Sequence, residues 1–335
     1  MTWNRKPGIA EILKNLRISA LMASMLLEIF DENEVAVVTG GPDVGAAFSS
    51  LAFDHLFFTG STNVGKAIMR AASENLVPVT LELGGKSPVV VGEDYDIGRV
   101  ARALVYGKLS NAGQTCVAPD YAFIPEERVA DFSDAFVAET RKAYPDGPSD
   151  KGYALLISQR HHDRLVALIE DARSKGARIV EIGATPDVGR PHTLAPTLVL
   201  GAAADMRIMQ EEIFGPVLPV VAYRDLPDAV ARINAGDRPL ALYVFSNRKE
   251  TVDYILTATT SGSAVVNDTL LQFVQDDVPF GGVGPSGMGA YHGEEGFKTF
   301  SHAKGVLIQS RLSMVGIMRA PFGRLADGLL GVMMR

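Results

Sequence analysis

Apolar residues recur at helical intervals through Leu13, Leu16, Ala20, Met25 and Ile29, with Glu28 breaking the run, which predicts an amphipathic helix with one face in a core. Basic residues ahead of residues 18–27 imitate a signal peptide. No small-residue cleavage pattern follows, and the run falls short of the roughly 18 apolar residues that span a bilayer. The period then changes. Residues 35–38, 55–59 and 77–83 are apolar, strand-length runs. The first empties into Thr39-Gly40-Gly41-Pro42, the second into Gly60-Ser61-Thr62-Asn63, and residues 64–72 between the second and third have helical composition. Strands alternating with helices of about ten residues predict βαβ units in a parallel sheet, where ligands collect at the strands' C-terminal ends.

A second α/β region follows. Asp96 is placed to cap a helix bearing Ile97, Val100, Leu104 and Val105, which runs out into Ser110-Asn111-Ala112-Gly113-Gln114-Thr115-Cys116. A strand over 121–124, Pro125 as a first helical residue and the stripe Val129, Phe132, Phe136 come next. Helices over 161–175, 225–234 and 249–257 and strands over 177–182, 240–245 and 263–267 complete the pattern, without internal repeats or low-complexity linkers. Residues 280–296 hold seven glycines, so a tightly turned loop belongs there.

Length and charge narrow the function. At 335 residues, the chain suits about two domains of roughly 150 residues. A net charge of -7 leaves no basic field for phosphate backbones, so nucleic acid is not an expected partner. One cysteine forms neither an internal disulfide nor a thiolate metal cluster, which fits a reducing cytoplasm. The six histidines show no helical metal-site spacing, and His161-His162-Asp163 reads as the start of a surface helix.

Four places can carry chemistry. Cys116, a lone thiol in a Gly/Gln/Thr loop after a helix, sits like a nucleophile, although single cysteines are also common as small buried hydrophobes. Glu82 lies between Leu81 and Leu83 at the end of an apolar strand and before Gly84-Gly85. A carboxylate there either faces outward or is desolvated toward the pKa range of a general base. Gly60-Ser61, between a strand and a helix, is a weak signal for a phosphate platform. Glu211-Glu212-Ile213-Phe214-Gly215-Pro216 joins an acidic pair, ordinarily a solvated helix end, to an aromatic and a stiff turn.

Together, Phe58-Thr59-Gly60-Ser61, the segment from Leu81-Glu82-Leu83-Gly84-Gly85 to Lys86-Ser87-Pro88, Gly113-Gln114-Thr115-Cys116, Glu212-Ile213-Phe214-Gly215-Pro216 and Pro279-Phe280-Gly281-Gly282 resemble the aldehyde dehydrogenase superfamily in order and spacing. The resemblance runs from about Val35 to about Val306. Cys116-Val117-Ala118-Pro119-Asp120-Tyr121 and Ser286-Gly287-Met288-Gly289-Ala290-Tyr291-His292-Gly293 look like its class 3 branch, nearest the coniferyl type. The resemblance implies an α/β fold with a Rossmann-type cofactor domain and a catalytic domain. It also implies oxidation of an aromatic, coniferyl-like aldehyde to the acid with NAD, or NADP. Cys116 is then the nucleophile, with half the oxyanion hole from its backbone N–H, and Glu82 the base that activates water. Gly60 and Ser61 meet the pyrophosphate, Glu212 binds the nicotinamide ribose and Phe214 packs by the nicotinamide. Phe273 and Phe280 are expected at the aldehyde channel, with plain packing as their alternative.

The family's W-N-x-P and K-P-S-E segments, expected before Val35, are not matched, since Trp3-Asn4 and Lys6-Pro7 lie too close together. The chain therefore reads as an N-terminally shortened member: residues 1–82 a remnant of the NAD(P)-binding domain, 83–284 the catalytic domain, and 285–335 a returning, oligomerising segment. The long form is expected to be a cytoplasmic homodimer. The competing readings are a silent fragment acting only in binding or assembly, and a cofactor-free esterase using Cys116 and Glu82. The tail, residues 312–335, reads as a partner-binding helix or simple packing.

Overall fold

The computed structural model describes residues 16–184, 190–311, 313, 315–316 and 319–334. The chain forms two units, Met1–Phe300 and Ser301–Arg335. The second carries a helix over Arg324–Met333. In the first, three helices precede or flank a small sheet: α1 (Leu16–Leu27), α2 (Pro42–Ser49) and, after strand β1 (Leu56–Gly60), α3 (Thr62–Ser73). Strand β2 (Val79–Leu83) lies parallel to β1, with Thr59 opposite Glu82. The chain then enters a larger sheet through β3 (Pro88–Val91), α4 (Ile97–Leu109), β4 (Tyr121–Pro125), α5 (Val129–Ala143), α6 (Gln159–Ser174), β5 (Arg178–Glu181) and β6 (Thr197–Leu200). After α7 (Arg207–Gln210) come β7 (Val217–Tyr223), α8 (Leu226–Ala235), β8 (Ala241–Phe245), α9 (Lys249–Ala258) and β9 (Ser263–Val266). Strand β10 (Gly287–Met288) and α10 (Gly293–Thr299) follow.

The seven-stranded sheet has the order β5-β6-β7-β4-β3-β8-β9, parallel except at the β5 edge. Its central strands are apolar throughout because both faces are covered. The two-residue period of a strand divides them: Val90, Phe123, Val221 and Val244 pack with Leu165 and Leu168 of α6, Val230 and Ile233 of α8 and Ile255 of α9. Val89, Val91, Ala122 and Ile124 pack with Val100 and Leu104 of α4 and Phe132 and Phe136 of α5. The small sheet has the order β1-β2-β10, so a strand from beyond residue 284 completes it antiparallel to β2. The segments expected as separate domains over 1–82 and 83–284 thus lie in one compact unit, each with its own sheet.

Three expectations are corrected. The first periodic stretch does form a helix, but Ile18, Leu21, Met22, Met25 and Leu27 are exposed, so α1 is no core helix. Periodicity commits a segment to a helix, whereas burial needs a facing surface, and these side chains have none among the described residues. Residues 35–38 form no strand, because β1 pairs with β2 and no other described strand runs beside them. Pro125 ends β4 and caps a short 3-10 turn over Glu126–Arg128, leaving Val129 to open α5. Leu13, Trp3-Asn4 and Lys6-Pro7 lie outside the described residues.

The helix that precedes the thiol ends abruptly. Asp96 caps its start by accepting from the Arg99 N–H at 2.8 Å, and after Leu109 the chain turns left-handed at Asn111 (φ 51), Ala112 (φ 53) and Gly113 (φ 73). A Cβ on Gly113 would stand 2.3 Å from the Gly215 carbonyl oxygen. Gly113→Ala therefore combines left-handed strain, about 1–2 kcal/mol for a residue with a Cβ, with a backbone clash. Urea unfolding should show a loss at least that large, and wild-type stability would refute the close packing of these two loops.

Candidate active site

A cavity of about 1660 Å³ lies at the C-terminal ends of β1 and β2 and is walled on its other sides by the cysteine loop, the start of α6 and the turn around α7. Six residues singled out from the sequence line it: Gly60, Ser61, Glu82, Cys116, Glu212 and Phe214.

The thiol is presented by a loop with its own clamp. Gln114 donates through Nε2 to the carbonyls of Asn111 and Leu155, each at 3.0 Å, and accepts from the Ile157 N–H at 2.9 Å. Asn111 Nδ2 returns a bond to the Gln114 carbonyl at 3.0 Å. Cys116 is half-buried behind this clamp. Burial first, and then the charges of Glu82 and Glu212, push its thiol up to about 11, opposed by the backbone N–H groups of Cys116 and Val117. The resting group is a thiol, so attack on a carbonyl needs a base nearby.

Glu82 is buried in the same cavity. It is only 3% exposed, and neither carboxylate oxygen has a hydrogen-bond partner among the described residues. Burial alone pushes its pKa up to about 8, which favours a neutral acid near neutral pH and a carboxylate just above it. The outward-facing alternative is thereby removed.

Glu212 and Phe214 are held by contacts no sequence motif announced. Arg164 of α6 donates to the carbonyls of Glu212 at 3.0 Å and Ile213 at 2.5 Å, and His161 Nε2 donates to the Phe214 carbonyl at 2.7 Å. His161 thus lines the cavity and is no mere surface residue. The Glu212 carboxylate occupies the space a Gly84 side chain would fill, with Oε1 2.1 Å from the ideal Cβ position, and accepts from the Gly85 N–H. Burial, with Asp120 adding to it, pushes Glu212 up to about 7. Beneath it, Lys86 pairs with buried Asp120 and donates to the carbonyls of Ile208 at 2.8 Å and Glu211 at 3.0 Å. Asp120 Oδ1 accepts from the Ile213 N–H at 2.9 Å.

On the opposite wall Ser61 caps α3, accepting from the Val64 N–H, and Gly65 lets that helix lie against Leu83 of β2, where a Cβ would come within 2.6 Å. The first turn of α3 faces the cavity through Thr62, Asn63 and Lys66. Phe280 is 2% exposed and packs against Tyr291 and His292. Phe273 is 49% exposed, with its ring centroid 6.4 Å from that of Phe280, and neither lines the cavity.

A carboxyl raised from its ordinary 4.5 to about 8 by burial binds protons more tightly in the folded chain than in the unfolded one. Its stabilising contribution is complete below the unfolded value and is lost as pH rises through about 8. Glu82→Gln should therefore raise the melting temperature most at alkaline pH and little at acid pH. A pH-independent difference between the two proteins would rule out a buried, titrating Glu82.

The profile described as "Aldehyde dehydrogenase family" matches residues 8–306. A "Probable coniferyl aldehyde dehydrogenase" of Caulobacter vibrioides is 48% identical over 310 residues, which cover 91% of this chain and 64% of that relative. The solved structure of Staphylococcus aureus AldH, in a substrate-bound state, matches with a TM-score of 0.85 at 36% identity, covering 95% of this chain and 68% of that one. A Mycobacterium tuberculosis aldehyde dehydrogenase complexed with NAD+ matches with a TM-score of 0.80 at 32% identity, over 88% and 62% of the two chains. The chain spans somewhat less than two thirds of the curated relative's length, and it belongs to the aldehyde dehydrogenase family.

Proposed function

We propose that this chain carries the catalytic centre for NAD(P)-dependent oxidation of an aldehyde to its carboxylic acid, with an aromatic, coniferyl-like aldehyde as substrate. The observation that carries this reading is the meeting of the lone thiol, an unpartnered buried carboxylate and the seated Glu212 in one cavity. The aromatic substrate is taken from the name of the Caulobacter relative.

The cavity fits a dinucleotide. The capped start of α3 offers backbone N–H groups and a positive dipole to a pyrophosphate beside Gly60 and Ser61. Glu212 offers carboxylate oxygens to a ribose diol, and the Phe214 ring lies open to the cavity for a planar ring. When bound, the nicotinamide supplies the acceptor for the hydride that leaves the substrate carbon.

The chain's own residues account for the rest. Glu82 accepts the Cys116 proton, since a thiol at about 11 does not ionise unaided, and Sγ adds to the carbonyl carbon. The Cys116 backbone N–H stabilises the oxygen of the thiohemiacetal. After hydride departure the carbon is held as a thioester; Glu82 releases the thiol's proton to solvent, then takes one from water as the water oxygen adds to the acyl carbon, and passes it to the departing Sγ. The C–S bond breaks, the carboxylic acid leaves and Cys116 is restored. In this reading the protein is a cytoplasmic homodimer, and a reducing compartment keeps Cys116 a free thiol.

NADH absorbance with coniferaldehyde and NAD, beside p-nitrophenyl acetate hydrolysis, tests the assignment. Cys116→Ala should abolish both. Glu82→Gln should slow the acylation burst as well as steady turnover, each by roughly a hundredfold or more. Activity retained by the alanine variant would overturn the nucleophile. Absence of both activities in the folded chain would leave only the binding or assembly reading.

A further inference from the structure

The mechanism leaves the strained loop ahead of the thiol unexplained. Asn111 and Ala112 both stand in the left-handed region, at φ 51 and φ 53, although neither is a glycine. Such backbone persists only where its surroundings over-determine it. Here the fixing contacts converge on Gln114. Its backbone N–H and its Nε2 both donate to the Asn111 carbonyl, at 3.1 Å and 3.0 Å, and Asn111 Nδ2 donates back to the Gln114 carbonyl at 3.0 Å. The same side-chain amide reaches a distant stretch, donating to the Leu155 carbonyl at 3.0 Å and accepting from the Ile157 N–H at 2.9 Å. Neither a glutamate nor a methionine of the same length offers two donors and an acceptor at one tip. The stretch so reached leads directly into α6. Leu156 N–H donates to the His192 carbonyl at 3.1 Å, and Ser158 caps the helix by accepting from the His161 N–H at 3.3 Å. His161 and Arg164, in the first turns of that helix, hold the carbonyls of Glu212, Ile213 and Phe214.

We propose that Gln114 is a positioning residue that couples two walls of the cavity: it sets the left-handed loop presenting Cys116 and locks that loop to the start of α6, which holds the Glu212–Phe214 turn. Gln114 precedes Cys116 by two residues, and its anchor Ile157 precedes the Ser158 cap by one, so the link is short at both ends. Loss of the amide frees the loop to open and lets water reach the thiol. Burial is the first cause of the raised Cys116 pKa, so hydration should lower it. The thiolate is the form that alkylates, and the thiol should therefore react faster once its presentation is lost. Loosening the first turn of α6 should reach the thiol in the same direction, through this amide.

The bearing of this coupling on catalysis rests on Cys116 being the nucleophile. Its test uses neither cofactor nor turnover, so either can fail alone. Iodoacetamide alkylation of Cys116, the sole cysteine, is followed against pH in the full chain, well below its melting temperature. Gln114→Met keeps the length of the side chain and loses its three hydrogen bonds. It should raise the rate at about pH 8 by roughly threefold and move the midpoint of the profile to lower pH. Ser158→Ala uncaps α6 from outside the cavity lining, and it should raise the rate in the wild type while adding nothing in the Gln114→Met background. A rate and midpoint unchanged or moved the other way by Gln114→Met overturns the proposal. So does an Ser158→Ala increment that is equal in both backgrounds, or absent from both. Should circular dichroism show that Gln114→Met does not fold, Gln114→Asn, one methylene too short to keep both anchors, is read in its place against the same outcomes.

Discussion

The Lys86–Asp120 ion pair sits where three separate stretches of chain must be held in register. Lys86 follows Glu82 by four residues and Asp120 follows Cys116 by four, so the pair pins the exit of β2 to the entry of β4. The remaining bonds of the two side chains go to Ile208, Glu211 and Ile213, which fixes the turn carrying Glu212. Base, thiol and third carboxylate thus inherit their positions from one buried contact. Truncating one member of such a pair commonly costs about 3–5 kcal/mol, because the other charge is left buried and unpaired. Here the loss would fall on the geometry of the whole cavity.

That geometry concentrates acids around a thiol, and the electrostatic result is a resting site poised in its protonated forms. Glu82 rises because it is buried, Glu212 because it is buried beside Asp120, and Cys116 because it is buried beside both glutamates. Proton transfer from a thiol at about 11 to a carboxylate at about 8 is uphill, so under the proposed mechanism the thiolate forms in appreciable amount only as its electrons move onto a carbonyl carbon. Backbone N–H groups at Cys116 and Val117 then stabilise charge that does not exist at rest.

The alternation of strands and helices was legible because each unit is short, periodic and punctuated by Gly, Pro or a capping Asp. Strands β3, β6 and β7 were not. Buried on both faces they show no alternation, and Pro88 and Pro219 argue against strands by composition. Cys116, Glu82 and Glu212 were legible as parts of motifs with a recognised order. Asp120 and Lys86 were not, because a charge read in isolation suggests a solvated face and only the packed structure shows that it is buried. The helix α1 errs the other way: its apolar spacing is clear in the sequence, but spacing carries no information about whether a surface faces it.

The glycine-rich stretch links these themes. Gly287 pairs with Glu82 in register, and a Cβ there would stand 2.3 Å from the Leu81 carbonyl oxygen, at a φ of +148 that side chains rarely adopt. Gly282 leaves equally little room, its ideal Cβ position lying 2.0 Å from the Ser286 carbonyl oxygen. The Leu83 N–H donates to that same carbonyl at 3.0 Å, so the returning loop is stitched to both sides of the glutamate. Neither carboxylate oxygen of Glu82 gains a donor from that loop. A loop of bulkier residues would stand further off and admit water, and hydration would return the carboxyl toward its ordinary pKa. The glycines therefore let the chain pair closely beside Glu82 without supplying the hydrogen bond that would acidify it.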